Sequence, residues 1–536
     1  MKKVDVVIVG AGFSGLYLLY RLRNEGFSVR LLEAQSGLGG VWQANRYPGA
    51  RVDSHVPNYE YSMKECWSDW VWTEKFPGQE ELVAYFEHVG HKLDLIKEID
   101  FSTRVEACCY DVDGRWKVSV NNGDVYDAKF LVMCTGFGSK PYTPDIAGLE
   151  TFLGSMHHTA LWPKADVNLA GRKVGVIGTG ASGVQVIQEV TPVAESLCVF
   201  QRTPVTALPM QQRRLDPLEQ VLAKQKYPEL FRRRNSPPGN FCDIFRLDLG
   251  AYDVSEAERL NVFEAAWKKG GFNFWIGTFN DILTNEASNR AAYDFWRDKT
   301  RARIVDPSVA DILAPMDPPY PFGTKRPSLE QSFYECFNQQ HVRLIDINQT
   351  PIEAILPTGL RTTAENFDLD VLILATGFDA NTGGLTSIDI RGLEDRRLAE
   401  AWVDGVNTHL GVAVPSFPNM LMLYGPQSAT AFCNGPTCAE FQGDWTSRLL
   451  KWMRAEGYHV FDVSNRMAEA WTKHLSVLAN ETLFGKTNSW YMGANIPGKR
   501  RQLLNYPDAD AYRDQLRKCE VDAYSGFEFK RLTVSQ

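Results

Sequence analysis

Apolar runs that end at a glycine open two separate parts of the chain. Val4–Val9 and Val174–Ile177 are short and rich in β-branched residues, and each ends where a glycine-rich stretch begins. An unbroken apolar run of this length is typical of a strand buried on both faces. The stretches that follow the glycines, Leu16–Glu25 and Val184–Val190, are compatible with helices. We therefore predict the same strand, turn and helix at both places.

A second pair of apolar runs comes later in each part. Phe130–Phe137 and Val371–Phe378 both end in Thr-Gly-Phe and have the composition of buried strands. Each glycine-rich stretch is thus predicted to begin a structural unit, and each Thr-Gly-Phe strand is predicted to lie towards the end of such a unit. Strands that alternate with helices in this way favour a parallel sheet covered by helices. The predicted fold class is α/β, with two doubly wound domains.

Residues 211–327 follow a different pattern and are rich in Arg, Pro and aromatic residues. Helices are predicted around Pro217–Lys226, Ala257–Lys268 and Ala287–Lys299. We interpret this stretch as a mostly helical insertion in the second domain. Within it, Arg232–Arg234 is predicted to be a solvated helix end, with an anion site as the alternative.

The composition is that of an ordinary folded protein and argues against several classes. Hydrophobic residues make up 44% and charged residues 23% of the chain, which is not the balance of a disordered protein. The net charge of −8 gives no electrostatic reason to bind nucleic acid or a membrane. No apolar run approaches the roughly 18 residues of a membrane span. Ten scattered cysteines without a CxxC motif favour a reduced, cytoplasmic protein, and we assign no metal site.

The first glycine-rich stretch has the context that a dinucleotide-binding loop needs. It reads G-x-G-x-x-G from Gly10 to Gly15, between a predicted strand and a predicted helix, and Glu33 ends the next predicted strand, Ser28–Leu32. Backbone N–H groups at the start of the helix bind a pyrophosphate. A carboxylate at Glu33 accepts hydrogen bonds from ribose hydroxyls and repels a 2′-phosphate. This loop is therefore predicted to hold FAD or NAD.

The second loop, Gly178–Gly183, differs at the position that selects the nucleotide. At the spacing where the first loop has Glu33, the second has Arg202 and Thr203. A guanidinium binds phosphate through two parallel hydrogen bonds, so this loop is predicted to hold NADPH. Two such Rossmann-like dinucleotide-binding domains predict a flavoprotein that passes hydride from NADPH to FAD. The alternative is a pair of glycine-rich turns that bind no ligand.

A redox dithiol is one alternative for the group that reoxidises the flavin. Cys433 and Cys438 have a spacing like that of disulfide reductases, but they lie far downstream of the first loop. They flank Asn434–Thr437, which is predicted to be a tight loop. Cys108-Cys109 is predicted to lie half-buried in a strand. A redox pair is therefore the less favoured interpretation.

The segment between the two domains carries a more specific motif. Phe152–Pro163 matches F-x-G-x-x-x-H-x-x-x-W-P and resembles the fingerprint of Baeyer–Villiger monooxygenases, which depend on FAD and NADPH. Related N- and S-oxygenating flavoenzymes usually have Tyr or Phe where Trp162 stands. This chain departs from the family pattern at Gln43-Ala44, where many relatives carry aromatic residues. The smaller side chains are expected to reshape the pocket. Further segments similar to the family are Gly39–Trp42, Tyr47–Gly49, Asp53, Gly323–Pro327, Ala375–Asp379 and Ser489–Gly498.

The resemblance implies a reaction. NADPH reduces FAD, O2 then forms a C4a-peroxyflavin, and the peroxide attacks a small-molecule ketone, so that one oxygen atom is inserted next to the carbonyl to give an ester or lactone. The alternatives are a flavin-containing N- or S-oxygenase, an oxidase or redox sensor, and a binding module without activity. Ketone-to-ester conversion, tight coupling of NADPH use to product, and the yellow colour of bound flavin distinguish among them.

The resemblance also implies which residues carry the chemistry. An anionic peroxide and its adduct need a fixed cation, and by resemblance that cation is Arg326, with Asp53 pairing to it. The alternative for Arg326 is a structural ion pair. His158 lies in the segment between the domains, so a hydrogen-bonded coupling role is expected rather than a role as general base.

The two fingerprints and the resemblance together give the residues expected to bind FAD and NADPH. Lys325 is expected to join Arg202 and Thr203 around the 2′-phosphate. Trp490 is expected to be a mobile lid over the nicotinamide, with core packing as the alternative. The expected set is Gly10, Gly12, Ser14, Gly15, Glu33, Gly40, Val41, Trp42, Asp53, Tyr59, Val105, Thr179, Gly180, Ser182, Gly183, Gln185, Arg202, Thr203, Lys325, Arg326 and Trp490.

These assignments divide the chain into three parts. Residues 1–145 and 385–536 are expected to form a discontinuous FAD-binding domain. Residues 146–210 and 328–384 are expected to form the NADPH-binding domain, and residues 211–327 are the helical insertion within it. The chain is expected to be a monomer or a weak homo-oligomer.

Arg202→Ala should raise the KM for NADPH about ten- to a hundredfold, because one charge-assisted phosphate contact of roughly 1.5–3 kcal/mol is lost. The KM for NADH should stay nearly unchanged, since NADH has no 2′-phosphate. Steady-state kinetics with both coenzymes measure the difference. Equal weakening toward NADPH and NADH would place the phosphate elsewhere.

Overall fold

Two separate sheets organise the chain. The computed structural model describes residues 1–235 and 238–531. Within these residues the strands, β1 to β20 in chain order, are Lys2–Val9, Val29–Leu32, Ile99–Asp100, Val105–Tyr110, Trp116–Val120, Val125–Met133, Ser155–His158, Lys173–Ile177, Ser196–Gln201, Leu208–Pro209, Leu329–Glu330, Val342–Asp346, Ile352–Leu356, Gly359–Thr362, Asn366–Asp368, Val371–Leu374, Asp389–Arg391, Met420–Met422, Val460–Val463 and Phe527–Lys530.

Helices cover these sheets and form the insertion. In the same described residues the α-helices, α1 to α17 in chain order, are Phe13–Asn24, Val41–Ala44, Lys64–Trp67, Gln79–Lys92, Ala181–Val190, Pro217–Ala223, Tyr227–Arg233, Glu256–Lys269, Asn273–Ile276, Glu286–Arg301, Pro307–Leu313, Phe333–Cys336, Gly383–Thr386, Leu398–Ala401, Gly435–Ala455, Asn465–Asn480 and Ala509–Val521.

The first sheet is built around β1. Its strand order is β17-β4-β5-β6-β1-β2-β3, and β18 also pairs with β6. β1 is parallel to both neighbours, with Val6 beside Val29 on one side and Phe130 on the other. The apolar runs that predict buried strands are therefore the central strands of this sheet, where both faces are covered.

The second sheet has the order β12-β9-β8-β16-β7, and all four of its pairings are parallel. The predicted α/β fold with parallel sheets is confirmed. One detail differs from the sequence-based expectation, because the segment that carries His158 is not a linker. Ser155–His158 pairs with β16 as the edge strand β7, with His158 beside Leu374.

The glycine turns explain why two kinds of motif are repeated together. Gly10 has a φ of +107°, and a Cβ on it would lie 2.5 Å from the carbonyl oxygen of Cys134. Gly178 has a φ of +106°, and its Cβ would lie 2.5 Å from the carbonyl oxygen of Ala375. Each glycine loop is thus pressed against the strand that leads into Thr-Gly-Phe, and only glycine fits there.

The insertion consists of helices α6 to α11, as predicted. It is bounded by β10 and β11, which pair with each other in parallel. The predicted helix Pro217–Lys226 is shorter than expected, because a 3₁₀ turn at Lys224–Lys226 separates α6 from α7. The other two predicted helices are confirmed as α8 and α10, each slightly longer than predicted.

The prediction for the arginine run is wrong at its last residue. Arg232 and Arg233 are exposed, but the side chain of Arg234 is only 1% exposed. Its guanidinium donates to a carboxylate oxygen of Glu440 at 2.9 Å and to the carbonyl oxygen of Glu60 at 2.8 Å. Arg234 is therefore a buried tie between the insertion and helix α15, not a solvated helix end.

Two further features concern the cysteines and the membrane. All ten cysteines are free, and Cys108 and Cys109 lie on β4, buried and half-buried respectively, as predicted. The predicted tight loop after Cys433 is wrong, because helix α15 begins at Gly435 with Asn434 as its N-cap. In the part of the chain that the structure describes, no helix is long and apolar enough to cross a membrane.

Arg234→Ala should lower the free energy of unfolding by about 3–5 kcal/mol, since the change leaves the Glu440 carboxylate buried without its cation. Arg233→Ala is the matched control, because Arg233 is exposed and pairs with Glu229 within its own helix. The control should change the free energy of unfolding by less than about 0.5 kcal/mol. Urea unfolding measures both, and equal midpoints for the two variants would contradict the assignment.

Candidate active site

A cavity of about 1260 Å³ lies where the two sheets and the insertion meet. Its wall contains most of the residues predicted from the sequence to bind the cofactors. Those that line it are Val41, Trp42, Asp53, Tyr59, Thr179, Gly180, Ser182, Gln185, Arg202, Thr203, Lys325, Arg326 and Trp490. Those outside its wall are Gly10, Gly12, Ser14, Gly15, Glu33, Gly40, Val105 and Gly183.

The first glycine loop forms a second cluster of predicted residues. Glu33 is 5% exposed, and its carboxylate oxygens accept from the N–H groups of Ala11 and Gln35, both at 2.7 Å. Burial raises the pKa of the Glu33 carboxyl above its ordinary value. Gly12 faces Gly40 across the loop. A Cβ placed on Gly12 would lie 3.8 Å from the Cα of Gly40. The loop, its acidic residue and the Gly39–Trp42 segment are thus brought together.

Two more predicted residues stand near this loop. Ser14 is buried in the first turn of α1, and Val105 is buried at the start of β4. The carbonyl oxygen of Glu33 accepts from the N–H of Thr103, so the β4 end of the sheet is held against the acidic residue. Gly10 and Glu33 directly follow β1 and β2, so the loop and the acidic residue lie at the carboxyl ends of these strands, where open parallel sheets bind ligands.

Trp42 and Tyr59 form one wall of the cavity. The indole N–H of Trp42 donates to the Tyr59 hydroxyl at 3.0 Å, and the Tyr59 ring packs edge-on against Phe13 at 5.0 Å. Gln43 and Ala44, the departure from the family pattern, are not among the cavity-lining residues that the structure describes. Their effect on the pocket stays a prediction; the α2 helix directs Val41 and Trp42 to the cavity.

The second glycine loop faces the cavity directly. A Cβ placed on Gly180 would meet no atom within 4 Å, whereas one on Gly183 would lie 2.2 Å from the carbonyl oxygen of Gly178. The middle glycine thus opens to the cavity, and the third packs helix α5 onto the loop. Gln185 accepts from the Tyr47 hydroxyl at 2.7 Å and donates to the carbonyl oxygen of Arg51 at 2.9 Å. These two bonds tie α5 to the Tyr47–Gly49 motif.

Two cations meet at the cavity wall near the end of β9. Burial, together with the positive charge of Arg202, lowers the pKa of Lys325 from its ordinary value to about 8. The Lys325 ammonium lies 4.9 Å from the centre of the Tyr320 ring. The positive charges of Lys325 and Arg202 repel each other, and an anion bound between them would relieve this repulsion. Thr203 lies beside this pair, as the sequence predicts.

Arg326 and Asp53 form a bidentate ion pair in the same cavity. The Nε and Nη2 atoms of Arg326 each donate to one carboxylate oxygen of Asp53, both at 2.8 Å. The two side chains are 27% and 29% exposed, so they are only partly covered by protein. Burial alone would lower the pKa of Arg326, but the Asp53 carboxylate raises it above its ordinary value. The guanidinium is held charged and oriented.

Two aromatic side chains of the insertion support the guanidinium. The centre of the Phe272 ring lies 4.7 Å from the Arg326 guanidinium carbon, and that of Trp275 lies 6.0 Å from it. The sequence alone did not predict that either residue lies at the site, although both belong to the aromatic-rich stretch 211–327. The aromatic content was the available signal, but it did not indicate which rings face the cation.

Trp490 lies on a 3₁₀ turn, Trp490–Met492, at the edge of the cavity. Its indole stacks on Phe137 with ring centres 5.2 Å apart and an angle of 8° between the planes. The side-chain N–H of Asn381 donates to its carbonyl oxygen at 3.2 Å. Trp490 is half-buried and lines the cavity, so it is positioned beside the Thr-Gly-Phe strand of the first sheet. Its movement as a lid stays a prediction.

His158, at the end of β7, contacts Tyr142 and Thr376. Its Nδ1 accepts from the N–H of Ala160 at 3.0 Å, so Nε2 carries the proton and donates to the carbonyl oxygen of Tyr142 at 3.2 Å. The Thr376 hydroxyl also donates to the Tyr142 carbonyl. Burial lowers the pKa of His158 below its ordinary value. A neutral imidazole that holds the interdomain segment at Tyr142 agrees with a coupling role.

The geometry fits two dinucleotides. One glycine loop has a buried carboxylate, the other opens to the cavity beside two cations, and a fixed guanidinium lies between the two sheets. These features define a flavin-dependent oxidoreductase of the class with two dinucleotide-binding domains.

Comparison with known proteins identifies the family. The family described as "Flavin-binding monooxygenase-like" matches residues 1–232. Cyclopentanone 1,2-monooxygenase from Comamonas sp. (strain NCIMB 9872) is 44% identical over 527 residues, which are 98% of this chain and 96% of that protein. Acetone monooxygenase (methyl acetate-forming) from Gordonia sp. (strain TY-5) is 38% identical over 530 residues, which are 98% of each chain. The crystal structure of OTEMO complexed with FAD and NADP superimposes with a TM-score of 0.94 at 35% identity, covering 98% of this chain and 99% of that one.

The chain belongs to the Baeyer–Villiger monooxygenases. It is an FAD- and NADPH-dependent enzyme that inserts one oxygen atom of O2 next to a ketone carbonyl. The resemblance found in Phe152–Pro163 is thereby confirmed, and the N- or S-oxygenase alternative is not favoured.

The KM for NADPH should rise about tenfold between about pH 7 and pH 9, because a Lys325 with a pKa near 8 loses its charge over this range. The KM for NADH should stay flat, and Lys325→Arg, which keeps its charge, should remove the slope for NADPH. Steady-state kinetics across this range provide the measurement. A slope that survives Lys325→Arg would assign the ionisation to another group.

Proposed function

We propose that Arg326 is the catalytic cation of this enzyme and that Asp53 positions it. The observation that carries the proposal is the bidentate ion pair within the cavity, with both oxygens of Asp53 engaged and Nη1 of Arg326 making only a long contact of 3.4 Å to the carbonyl oxygen of Ala431. Asp53 takes Nε and Nη2, and Arg326 lines the cavity. A cation held in this way stabilises negative charge that develops on oxygen during the reaction.

The bound FAD supplies the oxygen-activating chemistry after NADPH has reduced it. The protein's own residues bind, orient and shield. Arg326 cannot lose its proton at ordinary pH, so its charge does not depend on a proton transfer. Phe272 and Trp275 cover one side of the guanidinium, which excludes water and strengthens the electrostatic interaction with an anion on the other side.

The coenzymes are assigned to the two glycine loops. Gly12, Glu33 and the Gly40–Trp42 segment hold FAD on the first sheet. Thr179, Gly180 and Ser182 hold the NADPH pyrophosphate, and Gln185 fixes the helix behind it. Arg202, Thr203 and Lys325 hold the 2′-phosphate, which neutralises the two opposed cations. Trp490 covers the nicotinamide from the edge of the cavity.

The substrate is an uncharged, mainly apolar ketone. Phenylalanine and aliphatic side chains line the part of the cavity around Arg326, and a ketone carbonyl needs no counter-charge in the ground state. The lining residues are Phe241, Phe272, Trp275, Phe279, Ile282, Leu283 and Phe432. Cyclopentanone is the first substrate to test, because it is named in the relative that is 44% identical.

The domain bounds, compartment and assembly are part of the same proposal. Residues 1–145 and 385–536 form the FAD domain, and residues 146–210 and 328–384 form the NADPH domain around the insertion. The strands of the first sheet come from residues 2–133 and 389–422, and those of the second from residues 155–201 and 342–374, which supports this division. The enzyme works in the cytoplasm as a monomer or weak homo-oligomer.

Arg326→Ala should bind FAD and oxidise NADPH but form ester about 10²–10³ times more slowly, because the charge that stabilises the developing anion is gone. NADPH consumption should then end in hydrogen peroxide. Asp53→Ala should be milder, since the cation remains but is less well oriented. Product, peroxide and NADPH are measured in the same reaction, with Arg301→Ala in the exposed Arg301–Asp311 pair as the control.

Substrate choice separates this function from its alternative. A panel of cyclic, linear and aryl ketones, with a tertiary amine and a sulfide added, is assayed for all variants. Ester formation by the wild type with loss in Arg326→Ala supports the proposal. Ester formation by Arg326→Ala at the wild-type rate would reduce the ion pair to a structural role. Turnover of the amine alone would favour N-oxygenation.

A further inference from the structure

We propose that His55, held by Asp243 of the insertion, is a positioning residue for Arg326. The proposal rests on the proposed function, because it assigns Arg326 the catalytic charge. His55 follows Asp53 by two residues and does not touch Arg326 itself. It lies instead at the junction of two separate routes that both end at the guanidinium.

His55 is fixed tightly to the insertion. Its side chain is buried, and its Nε2 lies 2.9 and 2.7 Å from the two carboxylate oxygens of Asp243. The side-chain N–H of Asn58 donates to the same carboxylate at 3.1 Å, and its side-chain oxygen accepts from the N–H of Cys242 at 2.7 Å. Burial would raise the pKa of Asp243, but the hydrogen bond and charge of His55 lower it to about 2.

The first route follows the chain. The N–H of Val52 donates to the carbonyl oxygen of Pro77 at 3.2 Å, and the N–H of Val56 donates to that of Lys75 at 3.0 Å. Asp53 and His55 lie between these two anchors. Few backbone torsions separate the two side chains, so the angle at which His55 is held limits the orientation of the Asp53 carboxylate.

The second route passes through aromatic rings. The His55 imidazole stacks on Phe241, with ring centres 5.8 Å apart and an interplanar angle of 27°. Phe241 meets Phe272 edge to face at 6.2 Å, and Phe272 lies under the Arg326 guanidinium at 4.7 Å. Rings packed in contact transmit a displacement, because protein interiors are close-packed.

The two routes connect His55 to Arg326 from two different sides. Arg326 is held by Asp53 on one side and by Phe272 on the other, and both supports lead back to His55. Asp243 contributes the fixed charge that immobilises the imidazole. A shift of the His55 ring would therefore move both supports of the guanidinium together, whereas the rest of the insertion would remain attached through Arg234.

The test is Asp243→Asn in the full-length holoenzyme. FAD content and the KM for NADPH should match the wild type, because neither glycine loop is touched. The rate of ester formation should fall about ten- to a hundredfold, since a displacement near 1 Å at the reacting centre has effects of this size. The NADPH still consumed should appear as hydrogen peroxide. Asp243→Glu, which keeps the carboxylate, should recover most of the coupling of NADPH to ester.

A matched control and a second variant keep the result interpretable. Asp311→Asn breaks an ion pair with Arg301 on the insertion, remote from His55, and should leave coupling unchanged. Phe241→Leu interrupts the ring route and leaves the Asp243 contact in place, so it should uncouple the enzyme more weakly than Asp243→Asn; because Phe241 also lines the cavity, the KM for ketone is measured beside the coupling. If Asp243→Asn does not fold, Phe241→Leu carries the test alone, and normal coupling in that variant would overturn the proposal.

A double-mutant cycle separates positioning from simple attachment of the insertion. Asp243→Asn and Asp53→Asn should together lower ester formation by less than the product of their separate effects, because both act on Arg326. A full multiplicative loss would overturn the proposal. The failure of the underlying function is distinguishable, since Arg326→Ala would then form ester at the wild-type rate.

Discussion

One ion pair sets the geometry of this enzyme. Arg326 and Asp53 stand 273 positions apart, and they meet only where the insertion, the second sheet and the first sheet converge. A cation that stabilises an anion must be close to it, must be oriented, and must not be neutralised by its own counter-ion. The bidentate geometry meets the condition of orientation, because Asp53 engages the Nε and Nη2 edge of the guanidinium.

The rest of the structure keeps that pair in place. Helix α5 is tied to Tyr47 and Arg51 by Gln185, and the insertion is tied to helix α15 by Arg234. Side chains that contact the reacting groups must be held in position by the packing around them, because a displacement of a fraction of an ångström already lowers the reaction rate. Most of the stabilising contacts around the cavity therefore join parts of the chain that are distant in sequence.

Local chemistry made much of this molecule predictable. The strand-glycine-helix repeats, the carboxylate at Glu33 and the arginine at Arg202 each follow from short-range rules, and the motif around Trp162 is specific enough to indicate the family. The ion pair of Arg326 and Asp53 was expected from resemblance. It could not have been derived from spacing, because nothing local brings the two residues together.

The misses have a common physical origin. His158 belongs to an edge strand because β16 offers it a partner, and Arg234 is buried because Glu440 meets it from a distant helix. Asn434 begins a long helix whose packing against α1 and α17 decides the backbone there. In each case a tertiary contact overrides a local preference. The rings under Arg326 were missed for the same reason, since composition indicates aromatic residues but not which way they face.

The pairing of β10 with β11 has a consequence for how this enzyme can diversify. The chain leaves the second sheet after β9, enters the insertion at Leu208–Pro209 and returns from it at Leu329–Glu330, and these last two strands pair with each other in a separate two-stranded sheet. The two ends of the insertion already lie side by side in the fold, so a longer insertion adds little to the entropy cost of closing the loop. Its length and sequence can therefore vary without disturbing the coenzyme sheet. The coenzyme sheet is thus insulated from most changes in the insertion, whereas Lys325, at the end of the insertion, couples it to Arg202. A transplanted insertion would still have to meet the fixed residues on the flavin side, and that fit, rather than the graft points, limits which exchanges produce a working enzyme.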